Sequence, residues 1–229
     1  MALLLLLGVL QSIPEEKKES FLNRFFPKKE MVIKNPRFES IRSRVHSDLD
    51  KYRKLFKLKR YEEAKELLAG TLDLCKENDG DEELDMAYAR TQMGITKMRL
   101  GIYDEVQELL ERSLEVRLKK LGPKDYFTAE TMQALGLYHR DMGDFERSLE
   151  FYQKAFDAMK EAKGTGSLET AYVASALGQA QRNVGDYEGA ELNFQYALSV
   201  FNKSPLQNAK EISDDILNCE YEGILGTIA

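Results

Sequence analysis

The sequence is poor in the residues that build metal sites and disulfide frameworks. It contains two cysteines and two histidines in 229 residues, and no tryptophan. No cysteine or carboxylate stands at a metal-ligand spacing around His46 or His139, so we predict no metal site. Cys75 and Cys219 fall at core-facing positions of predicted helices, where a small buried thiol is expected. The low cysteine content therefore argues against a fold held together by disulfides.

Proline is scarce as well. Only five are present, and none lies between Pro123 and Pro205. Proline interrupts helices because it lacks a backbone N–H, so this gap predicts an almost continuously helical region. The prolines near the start of the chain instead mark residues 11–40 as a jointed linker.

The sequence also lacks a recognisable catalytic motif. The segment Gly164-Thr165-Gly166 has neither the lysine nor the preceding strand of a phosphate-binding loop, and we interpret it as a loop between repeats. Acidic residues such as Asp81-Glu82-Glu83 stand at a predicted helix start, where they interact favourably with the helix dipole. We therefore predict that the protein is not an enzyme and that it needs no cofactor.

The charge is distributed unevenly along the chain. Residues 1–60 hold 15 Lys and Arg against 7 Asp and Glu, and the other residues hold 18 against 32. The first segment thus carries a net charge of +8 and the remainder −14. Because nucleic-acid binding needs clustered cations, the acidic remainder argues against a nucleic-acid partner.

What the sequence does contain is a pattern with a period of 42 residues. An aromatic residue recurs at this interval, and two columns of glycine follow the same step. Self-similarity at such a period is the signature of a solenoid, in which each unit packs only on its neighbours. A solenoid has no single closed core in which to assemble a buried active site. The columns are Tyr61, Tyr103, Phe145 and Tyr187; Gly94, Gly136 and Gly178; and Gly101, Gly143 and Gly185.

Each repeat has the pattern of two helices joined by a turn. Gly101, Gly143 and Gly185 stand where the first helix ends, and we expect them to adopt the left-handed conformation of a C-cap. Asp144 and Asp186 follow at the expected N-cap of the second helix. Large apolar side chains then recur four residues apart on one helical face. The pattern predicts an all-α fold.

These columns resemble the tetratricopeptide repeat. The resemblance rests on the Leu-Gly pairs at residues 135–136 and 177–178, and on the turn Gly-Asp-aromatic-Glu that begins at Gly143 and again at Gly185. The unit is longer than the common form of about 34 residues. Residues 113–123 resemble the Ala-Leu-x-Ile-Arg…Leu-Gly segment of the kinesin light chain type. The resemblance covers roughly residues 44–225, and it implies a right-handed α-solenoid that binds proteins.

We divide the chain accordingly. Residues 1–40 form an apolar tip and a basic linker, and four repeats follow at residues 41–79, 80–122, 123–164 and 165–206. Residues 207–229 form a C-terminal capping helix, because arrays of this kind need a polar outer face at their ends. The alternative is that the chain is a fragment of a longer array. The apolar stripe of this helix is Ile212, Ile216, Leu217 and Ile224.

The first helices of the repeats line the inner groove of such a solenoid, and we expect a protein partner to bind there. Counted from the Leu-Gly pairs, repeats 2–4 each contribute five residues to this candidate groove. Tyrosine, arginine and amide groups predominate, and these groups favour an extended peptide or a partner helix. The residues are Tyr88, Thr91, Ile95, Met98, Arg99, Glu130, Gln133, Leu137, Arg140, Asp141, Tyr172, Ser175, Gln179, Arg182 and Asn183.

The predicted function is a non-enzymatic scaffold that mediates protein–protein interaction. Two alternatives remain open for the groove residues: they solvate the inner wall without a ligand, or they contact the chain's own N-terminal segment. A different function also remains open. In it the protein is a structural subunit, held in a large assembly through its outer face, and the groove is idle.

The first 40 residues bear on the expected location. Residues 2–10 are uninterruptedly apolar, and basic residues interleaved with phenylalanines follow. The run is about half as long as a membrane-spanning helix needs to be, and it lacks the charged start of a signal peptide. It fits a segment that contacts a membrane surface through residues 2–37, with the array on the intracellular side. A signal peptide and a tip that packs against protein are the alternatives.

Overall fold

The computed structural model describes residues 36–76 and 84–203, without the side chains of residues 36–40 and 42. These residues form eight α-helices and no strand. Contacts divide the chain into residues 1–43 and residues 44–229. Only the start of the first helix is described in the first part, and the fold given below is that of the second. The helices are α1 (Pro36–Lys57), α2 (Tyr61–Lys76), α3 (Leu84–Arg99), α4 (Val106–Lys120), α5 (Tyr126–Asp141), α6 (Phe145–Lys163), α7 (Leu168–Asn183) and α8 (Tyr187–Phe201).

Within residues 44–229 the helices pack in sequential order. Helix α3 packs on α4, α5 on α6, and α7 on α8, and the contacts of α2 with α3, α4 with α5, and α6 with α7 link successive pairs. The first helices of two successive repeats, α3 and α5, also touch each other. Contacts therefore join neighbours along the chain, which is the arrangement of a helical solenoid.

The glycines that end the first helices adopt the predicted left-handed conformation. The φ angle is 71° at Gly101, 78° at Gly143 and 87° at Gly185. Repeat 1 has Lys59 at the equivalent position, and it is left-handed too, with φ of 56°. A residue with a Cβ pays about 1–2 kcal/mol for this conformation. This turn is therefore strained where the other three are relaxed.

The second helices of repeats 3 and 4 begin at the predicted N-caps. The Asp144 carboxylate accepts a hydrogen bond from the backbone N–H of Arg147 over 3.2 Å, and Asp186 accepts one from Gly189 over 3.0 Å. Helix α4 differs, because its N-cap residue Glu105 makes no side-chain cap and has a left-handed φ of 62°. Both N-caps that the sequence predicts are thus present.

The other glycine column brings the two helices of each repeat together. A Cβ placed at Gly94 would come within 2.9 Å of the Leu110 side chain, and one at Gly136 within 2.9 Å of the Tyr152 ring. A Cβ at Gly178 would meet an aromatic ring of α8 at 2.9 Å as well. Only glycine allows the second helix to approach so closely. This contact explains why the column recurs.

The core is a seam of buried side chains that runs from one helix pair to the next. Leu110 of α4 and Tyr152 of α6 are buried together with Leu135 of α5 and Leu177 of α7. Full burial of a side chain of this size contributes about 1.5–3 kcal/mol relative to exposure. The seam therefore joins repeats 2, 3 and 4 into one packed array.

The predictions of an all-α fold and of stacked helical repeats are confirmed. Cys75 is a buried, free thiol, as predicted. The apolar tip, most of the basic linker, and the predicted capping helix with Cys219 lie outside the described residues. None of the eight described helices combines the length and the hydropathy that crossing a membrane requires. The boundaries between repeats stay predictions.

Candidate functional site

A cleft of about 550 Å³ opens between α1, α3, the end of α4 and the start of α5. We call it the A-helix cleft, because α1, α3 and α5 are the first helices of repeats 1, 2 and 3. Volumes of this order can hold one or two side chains of a binding partner. The lining residues are His46, Leu49, Asp50, Arg53, Leu84, Asp85, Tyr88, Arg117, Leu121, Asp125 and Phe127.

An aromatic pair flanked by two guanidinium groups forms the wall of the cleft. The rings of Tyr88 and Phe127 meet edge to face with their centres 6.5 Å apart. The guanidinium carbon of Arg53 lies 5.4 Å from the centre of the Tyr88 ring, and that of Arg117 lies 6.0 Å away. Burial raises the pKa of Tyr88, as does the charge of Glu130. The tyrosine therefore presents a neutral phenol at physiological pH.

Arg117 fixes the geometry of this wall. Its side chain is 1 % exposed. The guanidinium donates to the carbonyl oxygen of Phe127, to the Thr131 hydroxyl over 2.6 Å and to a Glu130 carboxylate oxygen over 3.3 Å. A buried charge needs such partners, because an unpaired one is costly to remove from water. Arg117 therefore connects the end of α4 to the start of α5. The same hydrogen bonds fix its guanidinium group behind the aromatic pair.

The rim of the cleft is charged but paired. The His46 ring nitrogen Nε2 lies 2.9 Å from a carboxylate oxygen of Asp85, and Arg53 donates to Asp50 over 2.6 Å. Asp125 caps α5 by accepting from the Phe127 backbone N–H over 2.8 Å. A nucleophile with an adjacent base does not occur among these groups. The charged groups of the rim therefore hold one another and the start of α5 in place.

A line of hydrogen bonds extends from the cleft into the seam between repeats 1, 2 and 3. The Tyr52 hydroxyl donates to the Gln92 side-chain oxygen over 3.0 Å, and the Gln92 amide nitrogen donates to Glu130 over 3.3 Å. Glu130 in turn accepts from Arg117. Helices α1, α3, α4 and α5 are thus joined by one polar network. Such a network holds the cleft walls in a single relative arrangement.

Five of the fifteen predicted groove residues lie in the core, which corrects their placement. None of the five is more than 8 % exposed. The hydroxyl of Thr91 donates to the Ala87 carbonyl, and it lies 2.7 Å from the Ser113 hydroxyl. These residues face neighbouring helices, so they offer a partner almost no surface. The five are Thr91, Met98, Leu137, Tyr172 and Ser175.

The other ten predicted groove residues keep part of their surface exposed. Arg140 and Asp141 are paired over 3.0 Å, and Asp141 also accepts from the Tyr103 hydroxyl over 3.3 Å. Of the ten, only Tyr88 lines the A-helix cleft. Their role in binding stays a prediction. The ten are Tyr88, Ile95, Arg99, Glu130, Gln133, Arg140, Asp141, Gln179, Arg182 and Asn183.

Arg99, at the end of α3, has two buried nitrogen atoms without a partner. Its Nε and Nη2 atoms are shielded from water and make no hydrogen bond in the part of the chain that the structure describes. A buried donor left unpaired costs about 1–3 kcal/mol, and more when it is charged. The Arg99 side chain as a whole is only half-buried, so its guanidinium can donate to a carboxylate or carbonyl oxygen of a partner.

The sequence did not predict Arg53 and Phe127 as residues of the site. It placed Arg117 only in the segment 113–123 that resembles the kinesin light chain type of repeat. A signal was present for Arg117. The positions one and two steps of 42 residues later are Met159 and Phe201, so a charge at this column breaks an apolar pattern. A lone charge at a core column indicates a buried ion pair or a site. For Arg53 and Phe127 the sequence offers no comparable signal.

A second cleft of about 670 Å³ lies on the other side of the repeats, between α4 and α6. We call it the outer cleft. Its floor is apolar, with Leu114, Leu118, Met132 and Phe151, and lysine and acidic side chains surround it. Leu118 is 38 % exposed. No cluster of metal-ligating side chains occurs in either cleft or elsewhere in residues 36–76 and 84–203.

Comparison with known proteins agrees with this geometry. The sequence matches the tetratricopeptide repeat family at residues 85–161 and 135–203, together more than half of the chain. No curated protein matches it. The solved structure of BtubC (BKLC) from P. vanneervenii is similar, with a TM-score of 0.58 and 18% identity over 64% of this chain and 59% of that one. The chain thus spans less than two thirds of that protein.

A Podosopora anserina "putative kinesin light chain" with nearly identical TPR-like repeats has a TM-score of 0.62 at 16% identity, over 71% of this chain and 77% of that one. A variant of the same protein has a TM-score of 0.62 at 17% identity, over 71% and 76%. At these identities the structural likeness concerns the fold alone. The family match, the 42-residue step and the stacked helix pairs agree with one another. The chain belongs to the tetratricopeptide repeat family.

Proposed function

We propose that the protein is a scaffold that binds another protein through the A-helix cleft. Tetratricopeptide repeats suggest protein–protein interaction, and their family is generally non-catalytic. The observation that carries the proposal is the aromatic pair of Tyr88 and Phe127, set between two guanidinium groups in an open cleft. Aromatic and arginine side chains are enriched at the energetic centres of protein interfaces.

The partner is a segment that runs along α3. Ile95 follows Tyr88 by seven residues and Arg99 follows it by eleven. Because each residue of an α-helix turns the chain by about 100°, the three side chains share one face of α3. Tyr88 and Arg99 are separated by about 16 Å along the axis, which an extended peptide covers with about five residues. An apolar or aromatic side chain packs on Tyr88, and a carboxylate pairs with the guanidinium of the half-buried Arg99 side chain.

The charges already in the cleft favour this division of roles. Arg53 and Arg117 are paired with Asp50 and Glu130, so the cleft itself adds little charge for a partner to neutralise. Arg99 lacks such a partner. The apolar anchor therefore supplies affinity at one end of α3, and the acidic group supplies orientation at the other.

A second candidate function is attachment to a large assembly through the outer cleft. The exposed apolar side chain of Leu118 and the apolar floor below it favour this alternative. The protein is then a structural subunit, and the A-helix cleft plays no part in binding.

Site-specific crosslinking separates the two. A photoreactive amino acid at Ile95 is expected to crosslink a protein in a native extract, and one at Leu118 is the matched control on the outer face. Tyr88→Ala and Arg99→Gln are each expected to lower the yield at Ile95 about tenfold. Crosslinks at Leu118 alone, unaffected by the two substitutions, would overturn the proposal in favour of the structural subunit.

We also propose that the protein attaches to a membrane or a membrane complex through residues 2–37, of which residues 2–35 lie outside the described residues. The apolar run of residues 2–10 and the net charge of +8 in the first 60 residues support this. Apolar insertion and attraction to anionic lipid act together in such segments.

Flotation with vesicles that contain anionic lipid tests the attachment. The intact protein is expected to float with the vesicles, and a variant lacking residues 1–14 is expected to stay behind with its helical content unchanged. High salt should release only part of the intact protein, since it screens charge but leaves the apolar insertion. An intact protein that stays in solution, or one that is secreted after cleavage near its start, contradicts the attachment.

A further inference from the structure

The turns that join the two helices of repeats 3 and 4 carry large apolar side chains that are exposed to water. Met142 is 54 % exposed in the first of these turns, and Tyr187 is 71 % exposed in the second. Val184 and Phe145, which hold the equivalent positions of the other turn, are exposed as well. None of the four side chains lines the A-helix cleft or the outer cleft. Apolar side chains grouped on a surface in this way mark a binding site for another molecule.

An exposed carboxylate accompanies the apolar side chains in each turn. Glu146 and Glu188 directly follow the two aromatic residues, and Asp104 stands at the equivalent position of repeat 2. An acidic residue at the start of a second helix interacts favourably with the helix dipole. Within residues 36–76 and 84–203, however, none of the three carboxylates takes part in an ion pair. Each is therefore free to pair with a cation of a partner.

The turns of repeats 2–4 differ in charge from the turn of repeat 1. Residues 99–105, 141–147 and 183–189 together hold seven acidic and two basic residues, a net charge of −5. The equivalent residues 57–63 hold three basic and two acidic residues, a net charge of +1. Leu58 is 66 % exposed there, but it stands between Lys57 and Lys59. The combination of exposed apolar groups with an excess of carboxylates is thus confined to repeats 2–4.

We call this combination the turn surface. Its residues are Asp104, Met142, Phe145, Glu146, Val184, Tyr187 and Glu188.

The spacing of the turns fits a helix better than an extended peptide. The first helices of successive repeats touch, as α3 and α5 do, and touching helices lie about 8–10 Å apart. Seven residues of an α-helix advance about 10.5 Å and return a side chain to nearly the same face. In an extended chain this distance is covered by about three residues, which places the two side chains on opposite faces. A helix with an apolar residue at about every seventh position therefore meets successive turns.

We propose that the turn surface binds a basic amphipathic helix of a partner protein. The apolar residues of this helix pack on Met142 and Val184, and its lysine or arginine side chains pair with Glu146 and Glu188. Charge complementarity selects this partner, because the net negative charge of the turns repels an acidic helix and an anionic membrane surface. The turn surface is separate from the A-helix cleft, so this binding does not depend on the proposed function.

Oxidation of Met142 by hydrogen peroxide tests the proposal with a group that the chain already has. Of the six methionines among the described residues, only Met142 is exposed. In the protein alone, mass spectrometry is expected to show that Met142 is oxidised about tenfold faster than buried methionines such as Met132. A helical peptide of about 20 residues, with leucine on one face and lysine on the other, is expected to slow this oxidation at least about fivefold. The same peptide with glutamate in place of lysine is the control and should not slow it.

Variants of the full chain locate the contact. Val184→Asn is expected to weaken binding of the fluorescently labelled leucine–lysine peptide about tenfold, measured by anisotropy. The double variant Glu146→Gln and Glu188→Gln should weaken it about threefold and reduce its dependence on salt. Leu58→Asn is the matched control, because it removes an exposed side chain of the same column from the basic turn, and it should leave the affinity unchanged. All the replaced side chains are exposed, and circular dichroism establishes that each variant is folded.

Four outcomes overturn the proposal. Slow oxidation of Met142 in the protein alone would mean that this chain or a second copy already covers the surface, and light scattering would identify a dimer. Equal binding of the lysine and glutamate peptides would remove the role of charge. An equal loss of affinity in Leu58→Asn and Val184→Asn would mean that the peptide does not select the acidic turns. Protection of Met142 by lipid vesicles and not by the peptide would identify a membrane as the occupant.

Discussion

The junction between repeats 2 and 3 and the junction between repeats 3 and 4 use equivalent positions in opposite ways. At the first junction Arg117 donates to Glu130 and Thr131, and the network continues through Gln92 to Tyr52. At the second junction the equivalent side chains are aromatic or apolar and buried. A step of 42 residues from Arg117, Glu130 and Thr131 leads to Met159, Tyr172 and Val173.

The two junctions show that the repeat determines how the helices are spaced but not whether the residues between repeats are polar or apolar. The step of 42 residues and the close glycine contact inside each repeat are the same in repeats 2, 3 and 4, so the spacing of the two helices of a repeat does not depend on the polarity of the junctions. The energetics do depend on it. An apolar junction is stabilised by the area it removes from water, whereas a buried ion pair needs both partners in place. The A-helix cleft lies at the polar junction, where Arg117 can hold an open wall.

The largest effect is expected from a charge placed in the apolar junction. Met159 is 2 % exposed, so Met159→Arg copies the residue of the other junction into a buried site where Tyr172 stands at the position of Glu130. We expect a loss of about 3–5 kcal/mol in the free energy of unfolding, measured by urea denaturation. Met159→Leu is the control, with an expected loss below about 1.5 kcal/mol. Equal stability of Met159→Arg and the natural protein would show that the two junctions are not distinct.

The reverse exchange is expected to cost less. Arg117→Met removes the donor from Glu130, whose side chain is 24% exposed and is thus partly solvated. We expect a loss of about 1–3 kcal/mol by the same measurement. Addition of Glu130→Tyr recreates the apolar junction and should recover most of this loss, because a paired removal leaves no orphan charge. A double variant that loses the sum of both single effects would contradict the equivalence of the two junctions.

The close contact inside repeat 3 serves both junctions, since α5 takes part in each. A side chain at Gly136 would collide with Tyr152, at 2.9 Å for the Cβ alone. Gly136→Leu is therefore expected to lower stability by about 1–3 kcal/mol. Gly70 in α2 is the matched control, because a Cβ there meets nothing within 4 Å. Gly70→Leu should stabilise by up to about 1 kcal/mol through helix propensity. A melting midpoint unchanged by Gly136→Leu would contradict the packing register.

The smallest effect concerns a titratable group on α5. The His139 side chain is buried and stacks on Phe151 with the ring centres 5.4 Å apart. Burial lowers the pKa of His139, although the Asp144 carboxylate, 3.6 Å from its Nδ1 atom, acts in the opposite direction. The other charged groups that act on it are Arg147, Glu111 and Glu150.

The unfolded chain therefore binds the His139 proton more readily than the folded protein. The contribution to stability is present above the ordinary histidine pKa of about 6.5 and is lost as the pH falls below it. The melting temperature should thus fall between about pH 7.5 and about pH 5.5. His139→Gln should show a smaller fall over the same interval. Identical profiles of the variant and the natural protein would exclude His139 as the cause.

The fold could be predicted largely from the sequence because the packing constraints recur. Glycine is required where the two helices of a repeat meet and where the first helix ends. Gly136 therefore predicts the close helix contact, and Gly143 predicts the end of the first helix. Lys59 shows the limit of such reasoning. It occupies a glycine position and adopts φ of 56° all the same. Neighbouring contacts there outweigh the local preference.

The site is harder to predict because the first helix of each repeat has several neighbours. Tyr88 and Tyr172 occupy the same column, two steps of 42 residues apart. Tyr172 is buried against Phe201, with the ring centres 4.8 Å apart, whereas Tyr88 faces the cleft. The position of Phe201 is held in repeat 2 by Arg117, whose guanidinium lies 6.0 Å from the centre of the Tyr88 ring and also donates to Thr131 of α5. Periodicity alone does not distinguish these environments.

The central claim, that a protein partner binds along α3 in the A-helix cleft, is tested most directly by amide hydrogen exchange. Exchange is measured on the protein alone and on the complex with the partner identified by crosslinking at Ile95. We expect slower exchange in α3 and at the start of α5, and unchanged exchange in α4 and α6 at the outer cleft. Protection confined to α4 and α6 would contradict it.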